Sequence, residues 1–80
     1  MTPELDKYYS NQFDMMAKPG WTDLIEDLQK IKDATNNLSL VTDAHDLWYR
    51  KGQIDILDLL LTRREACGKA YEELKDETNL

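Results

Sequence analysis

Cysteine occurs once in this chain, at Cys67, so no intramolecular disulfide can staple the fold. Histidine also occurs once, at His45, which leaves no Cys/His cluster of the kind that holds structural zinc. Glycine is scarce, with three residues, and no GxGxxG, GxxxxGK[ST], GxSxG or HExxH pattern is present. No apolar run approaches the roughly 18–20 residues that span a bilayer. The opening stretch, MTPELDKYYS, has neither the basic nor the apolar region of a secretory signal, so none is expected there. Basic side chains are outnumbered, ten Lys and Arg against sixteen Asp and Glu, for a net charge of −6 and a pI near 4.6. A nucleic-acid module usually carries the opposite excess, so direct binding to a phosphate backbone is not expected. Together these absences point to a cytosolic chain with no membrane partner, held by packing alone.

What is present fits one small domain over residues 1–80. The composition is 41% hydrophobic and 32% charged, too apolar for disorder and too charged for a membrane protein. A domain of this size buries only about 60% of its unfolded surface, so its core is marginal.

Three helical segments are legible, at about 2–17, 20–36 and 43–75, and the expected class is all-α. Thr2 suits an N-cap, Pro3 the first helical position, and Glu4 the positive end of the helix dipole. Leu5, Tyr8, Tyr9, Phe13 and Met16 recur at helical spacing, and Lys18-Pro19-Gly20 then interrupts the pattern near Ala17. Trp21, Leu24, Ile25, Leu28 and Ile31 form the stripe of the second segment, which starts at Pro19 or Thr22. Asn36-Asn37 suits its end, since asparagine tolerates the left-handed conformation. Leu38 to Val41 reads as an apolar linker that packs over the adjoining helix ends. Thr42 or Asp43 starts the third segment, with Asp43 and Asp46 in its first turn.

At 1.5 Å per residue the third segment is about 50 Å long, and the first two together are comparable. The expected architecture is therefore a helical hairpin whose first arm is broken at Pro19-Gly20. The rival is a compact three-helix bundle folding back at the same break. Like-charge pairs Glu72–Asp76 and Glu73–Glu77 weaken the end of the helix, so a frayed acidic tail is expected over 76–80.

The third segment carries more apolar surface than a hairpin needs. Leu47, Ile54, Leu57 and Leu61 follow a seven-residue seam for the intramolecular contact. Ile56, Leu59, Leu60, Cys67, Tyr71 and Leu74 lie off it, with Trp48 and Tyr49 near its start. A helix apolar around much of its circumference is surrounded either by its own domain or by partners, and two short arms do not surround it. Gly52 interrupts the same stretch at a cost of about 1 kcal/mol, as glycines do where a backbone or large ring approaches, and Trp21 or Trp48 would fill that notch. The alternative is an ordinary tolerated glycine.

No constellation carries catalytic chemistry. Asp43, His45 and Asp46 are close in sequence but point in different directions on a helix, so no metal site is expected. Cys67, beside Ala66 and Gly68, reads as a packed thiol. The carboxylates sit on solvated faces with Lys or Arg interleaved, without the pocket that would raise one pKa for acid–base work. Neither cofactor nor small-molecule substrate is implied, and no enzyme is expected. Arg50, Lys51, Arg63 and Arg64 form a basic section in an otherwise acidic chain.

Three runs, FDMMAKPGWTDLIEDLQ, LWYRKGQIDILDLL and AYEEL, resemble small proteins encoded by tailed bacteriophages. The shared elements are Pro19-Gly20-Trp21 opening an acidic helix, Tyr49-Arg50-Lys51-Gly52-Gln53, and Tyr71-Glu72-Glu73-Leu74, across most of residues 13–74. Lys18 departs from the pattern where Ser or Thr would cap the proline start, which leaves the start of the second helix open. The resemblance implies a phage origin and carries over no catalytic residue. With that origin the expectation is a non-enzymatic virion-associated or assembly protein, in the virion or the cytoplasm of the infected host. It would dock on other phage structural proteins, or on itself, through Trp48, Tyr49, Ile56, Leu59 and Leu60, with Arg63 and Arg64 at the rim. The alternative from another class is a small acidic inhibitor of a host defence or nucleic-acid-processing enzyme. A third is a homodimer serving DNA packaging.

Overall fold

The computed structural model describes residues 2–78, and the chain is all-α. Four α-helices are found among these residues: α1 (Pro3–Met16), α2 (Pro19–Thr35), α3 (Ala44–Leu61) and α4 (Arg63–Thr78). A single 3-10 turn, Leu38–Leu40, lies between α2 and α3.

Local chemistry sets most of the boundaries. Thr2 caps α1, its Oγ1 accepting from the Leu5 backbone N–H at 3.2 Å, and Pro3 follows at the first helical position. The helix stops at Met16, and α2 begins at Pro19, where a missing N–H costs nothing. The break is thus where the proline places it. The C-terminal end of α2 corrects the expected mechanism, because no non-glycine among the described residues has a positive φ. Asn37 is extended (φ −130°), and its Oδ1 accepts from the Ser39 N–H at 3.1 Å and the Ser39 hydroxyl at 2.6 Å. It stops the helix by capping the next turn, not by turning left-handed. Asp43 caps α3, accepting from the Asp46 N–H at 2.8 Å, while Asp46 reaches back to the Thr42 N–H at 3.3 Å.

The long third helix is corrected to two, with a break at Thr62. The Thr62 carbonyl accepts from the Ala66 N–H at 2.9 Å, opening α4 as an N-cap residue does. Thr62-Arg63-Arg64-Glu65 has the Thr-x-x-Glu spelling of a capping box, which competes with continuing the helix. α4 continues through Asp76 and Glu77 to Thr78, and residues 79 and 80 of the expected acidic tail lie outside the described residues.

The chain forms two compact units. One comprises the described residues up to Thr22 together with those from Thr62, and here α1 packs on α4. Tyr71 meets Tyr9 (5.8 Å between ring centres) and Phe13 (5.7 Å, edge to face). Arg63 Nη2 donates to Tyr8 Oη at 2.6 Å and to Gln12 Oε1 at 3.4 Å. Met16 and Cys67 are each 2% exposed and are the buried residues among those described in this unit. Cys67, Tyr71 and Leu74, which the spacing sets among the surplus apolar residues, are buried or half-buried in this unit.

The second unit, Asp23–Leu61, holds most of α2, the 3-10 turn and α3. Lys32 Nζ pairs with Asp58 Oδ1 at 2.7 Å, and Arg50 Nη1 donates to the Thr35 carbonyl at 3.1 Å, so α2 and α3 run antiparallel. Leu57 is the buried residue, with Ile25, Leu28, Ile54 and Leu61 half-buried. Leu47, assigned to the same seam, remains exposed, as do Leu38 (75%) and Leu40. The 3-10 turn points two leucines outward instead of packing both over the helix ends.

Candidate functional site

The side of α3 away from Leu57 is the most apolar exposed feature of its unit. Trp48, Tyr49, Ile56, Leu59 and Leu60 are 41–67% exposed. At 3.6 residues per turn they fall with Gly52 within an arc of about 120°, which holds no Asp, Glu, Lys or Arg and has His45 at its N-terminal end. α3 therefore has two apolar faces. The inner one, with Leu57 and Ile54, belongs to the fold; the outer one is unpartnered.

Two local devices hold α3 in place beneath this face. The first is the Asp43–Asp46 cap. The second is Arg50, whose Nε donates to Asp46 Oδ2 at 3.2 Å while Nη1 takes the Thr35 carbonyl at the end of α2. A helix leaves its last carbonyls unpaired, and a guanidinium is well placed to satisfy one. Arg50 is thus a structural clamp, not part of a free basic section. Lys51 is exposed and pairs with Asp55 at 3.0 Å on the border of the apolar arc.

Trp48 stands between two recesses. One, of about 280 Å³, is lined by Leu38, Val41, Leu47, Trp48 and Ile54, with Arg50 and Lys51 at its edge. The other is a shallow trough of about 580 Å³ along the outer face, lined by Ile31, Trp48, Tyr49, Gly52, Ile56 and Leu57. A Cβ built at Gly52 would have no neighbour within 4 Å. This corrects the expected notch: neither Trp21 nor Trp48 fills it, and Gly52 is open floor in the trough.

Five of the seven expected docking residues, Trp48, Tyr49, Ile56, Leu59 and Leu60, share this face. Arg63 and Arg64 belong to the other unit. Arg64 is exposed, but the Arg63 guanidinium is half-buried on Tyr8 and Gln12. Sequence reasoning missed Ile31 and Leu38 as lining residues, because both sat in stripes or linkers assigned to the interior.

His45 is exposed in the first turn of α3, and no group of three His, Cys, Asp or Glu side chains among the described residues converges on a point. No helix among them is long and apolar enough to cross a membrane. Comparison of the chain with protein-family models, with curated proteins and with solved structures gives no match.

Proposed function

We propose that this chain is a non-enzymatic protein of a bacteriophage particle or of its assembly, docking on other particle proteins, or on itself, through the outer face of α3. The observation that carries this reading is that face: five large apolar side chains on one arc without Asp, Glu, Lys or Arg, rimmed by polar groups. Monomeric proteins rarely leave so large an apolar patch bare unless it meets a partner. The phage origin is supported by the resemblance of the Pro19-Gly20-Trp21, Tyr49–Gln53 and Tyr71–Leu74 elements, and it locates the chain in the virion or the infected cytoplasm. The net charge of −6 argues for protein partners over nucleic acid.

Mass spectrometry of purified particles tests this reading, with the native chain compared with Leu60→Glu. The native chain is expected at a fixed copy number. Leu60→Glu is expected to be lost from particles while the isolated variant keeps its helical circular dichroism. A native chain absent from particles and monomeric in solution would overturn the reading in favour of the acidic inhibitor of a host enzyme. An isolated Leu60→Glu chain that unfolds would make Leu60 interior and remove it from the docking face.

A further inference from the structure

We propose that the outer face of α3 pairs with the same face of a second copy of this chain, the two helices antiparallel, Ile56 of each copy seated over Gly52 of the other. The proposal rests on the docking reading above and names its partner. It begins from spacing. Tyr49, Gly52, Ile56 and Leu59 follow intervals of three, four and three, the seam by which one helix receives another. Ile54, Leu57 and Leu61 form a different, buried or half-buried seam on the same helix, turned toward α2, so the outer one is free.

Self-complementarity decides the orientation. A two-fold contact between antiparallel helices opposes residues whose numbers have a constant sum, and each pair then occurs twice. Centred between Gly52 and Ile56, it sets Gly52 against Ile56 and Tyr49 against Leu59. Every layer then matches a larger side chain with a smaller one, as dense packing requires. A parallel pairing would set Gly52 on Gly52, leaving an empty layer, and Tyr49 on Tyr49. The floor of the trough is open at Gly52, with no atom within 4 Å of a Cβ there, so Ile56 of a second copy has room to enter.

Area and the local charge at the face are compatible with this occupant. The exposed parts of Trp48, Tyr49, Ile56, Leu59 and Leu60 amount to roughly 600 Å², against the roughly 800 Å² per partner of a standard stable interface. The shortfall makes this a modest, concentration-dependent contact. The nearest charges, Asp55 and Asp46, are already paired within one copy, with Lys51 and Arg50, so the contact strands no charge.

Sedimentation of the full chain from about 1 to about 200 μM reads out the contact, spanning affinities typical of modest interfaces. A monomer–dimer equilibrium is expected for the native chain, and a monomer throughout for Ile56→Glu with its helicity kept; Ile56→Ser replaces it if the glutamate unfolds the chain. Orientation is read by cross-linking in a Cys67→Ala background. Tyr49→Cys and Leu59→Cys chains, mixed and oxidised, should link to each other, whereas Tyr49→Cys linking to itself would overturn the antiparallel register. A native chain that stays monomeric overturns the self-contact. Particle incorporation of Ile56→Glu then decides the docking reading: loss from particles means the face docks on another protein, and native incorporation means both readings fail.

Discussion

Two glycines inside helices give the cleanest comparison at the scale of single residues. Gly52 and Gly68 both have ordinary negative φ, and neither has an atom within 4 Å of where a Cβ would sit. Glycine costs roughly 1 kcal/mol relative to alanine in a helix interior, so both substitutions should favour the folded chain. Gly68→Ala is expected to raise stability by about 0.5–1 kcal/mol, or about 4–8 °C per kcal/mol in a thermal melt of a domain this size. Gly52→Ala should gain as much in the isolated chain, yet weaken association, because the methyl occupies the space that Ile56 of a second copy would enter. A melt and a sedimentation run on each variant separate the two effects. Equal behaviour of the two variants in sedimentation would count against Gly52 as a contact. The sequence marks Gly52 as unusual, since nothing near it signals a turn. It does not say which neighbour the glycine waits for, because that depends on where α2 passes, and α2 leaves the site open.

Among the elements, α3 shows which boundaries were readable. Its start was legible because Asp43 and Asp46 act within one turn, and the end of α1 because Pro19 acts on its own neighbours. The break at Thr62 was not, although Thr62-Arg63-Arg64-Glu65 spells a capping box. The apolar period runs on from Leu61 through Cys67 to Tyr71, and an unbroken period masks a local stop. Nor was the placement of Arg63 and Arg50 readable, since their partners Tyr8 and Thr35 lie 55 and 15 residues away. The outer face was the most legible part, as five of its side chains share one helical arc. Arg50 carries the prediction at this scale. Arg50→Met removes the group linking Asp46 to the Thr35 carbonyl and is expected to cost about 1–2 kcal/mol, with faster amide exchange in the last turn of α2. Lys51→Met removes only an exposed pair in the less favourable lysine-first order, and should cost under about 0.5 kcal/mol. Equal losses from the two substitutions would mean that the clamp adds nothing beyond a surface ion pair.

The whole molecule is poor in core and rich in negative charge, and the two facts pull association in opposite directions. Among the described residues Met16, Leu57 and Cys67 are the buried apolar ones, while thirteen large hydrophobics are exposed. Association through α3 therefore adds burial that a chain of this length lacks, and it should make the melting temperature rise with protein concentration. Each copy also carries a net charge of −6, so two copies repel one another in dilute buffer. Salt shortens the range of that repulsion, from about 30 Å at 0.01 M to about 3 Å at 1 M, and leaves apolar burial intact. Self-association is accordingly expected to strengthen as sodium chloride rises from about 0.05 to about 0.5 M, by about tenfold if screening recovers about 1.4 kcal/mol. An acidic inhibitor gripping a basic channel would respond with the opposite sign, because salt screens the attraction that holds it. Sedimentation across that salt range, repeated with Ile56→Glu, reads the sign directly. Tighter association of the native chain in high salt, absent from the variant, assigns the driving force to the outer face of α3. Weaker association in high salt would place it in the charges instead.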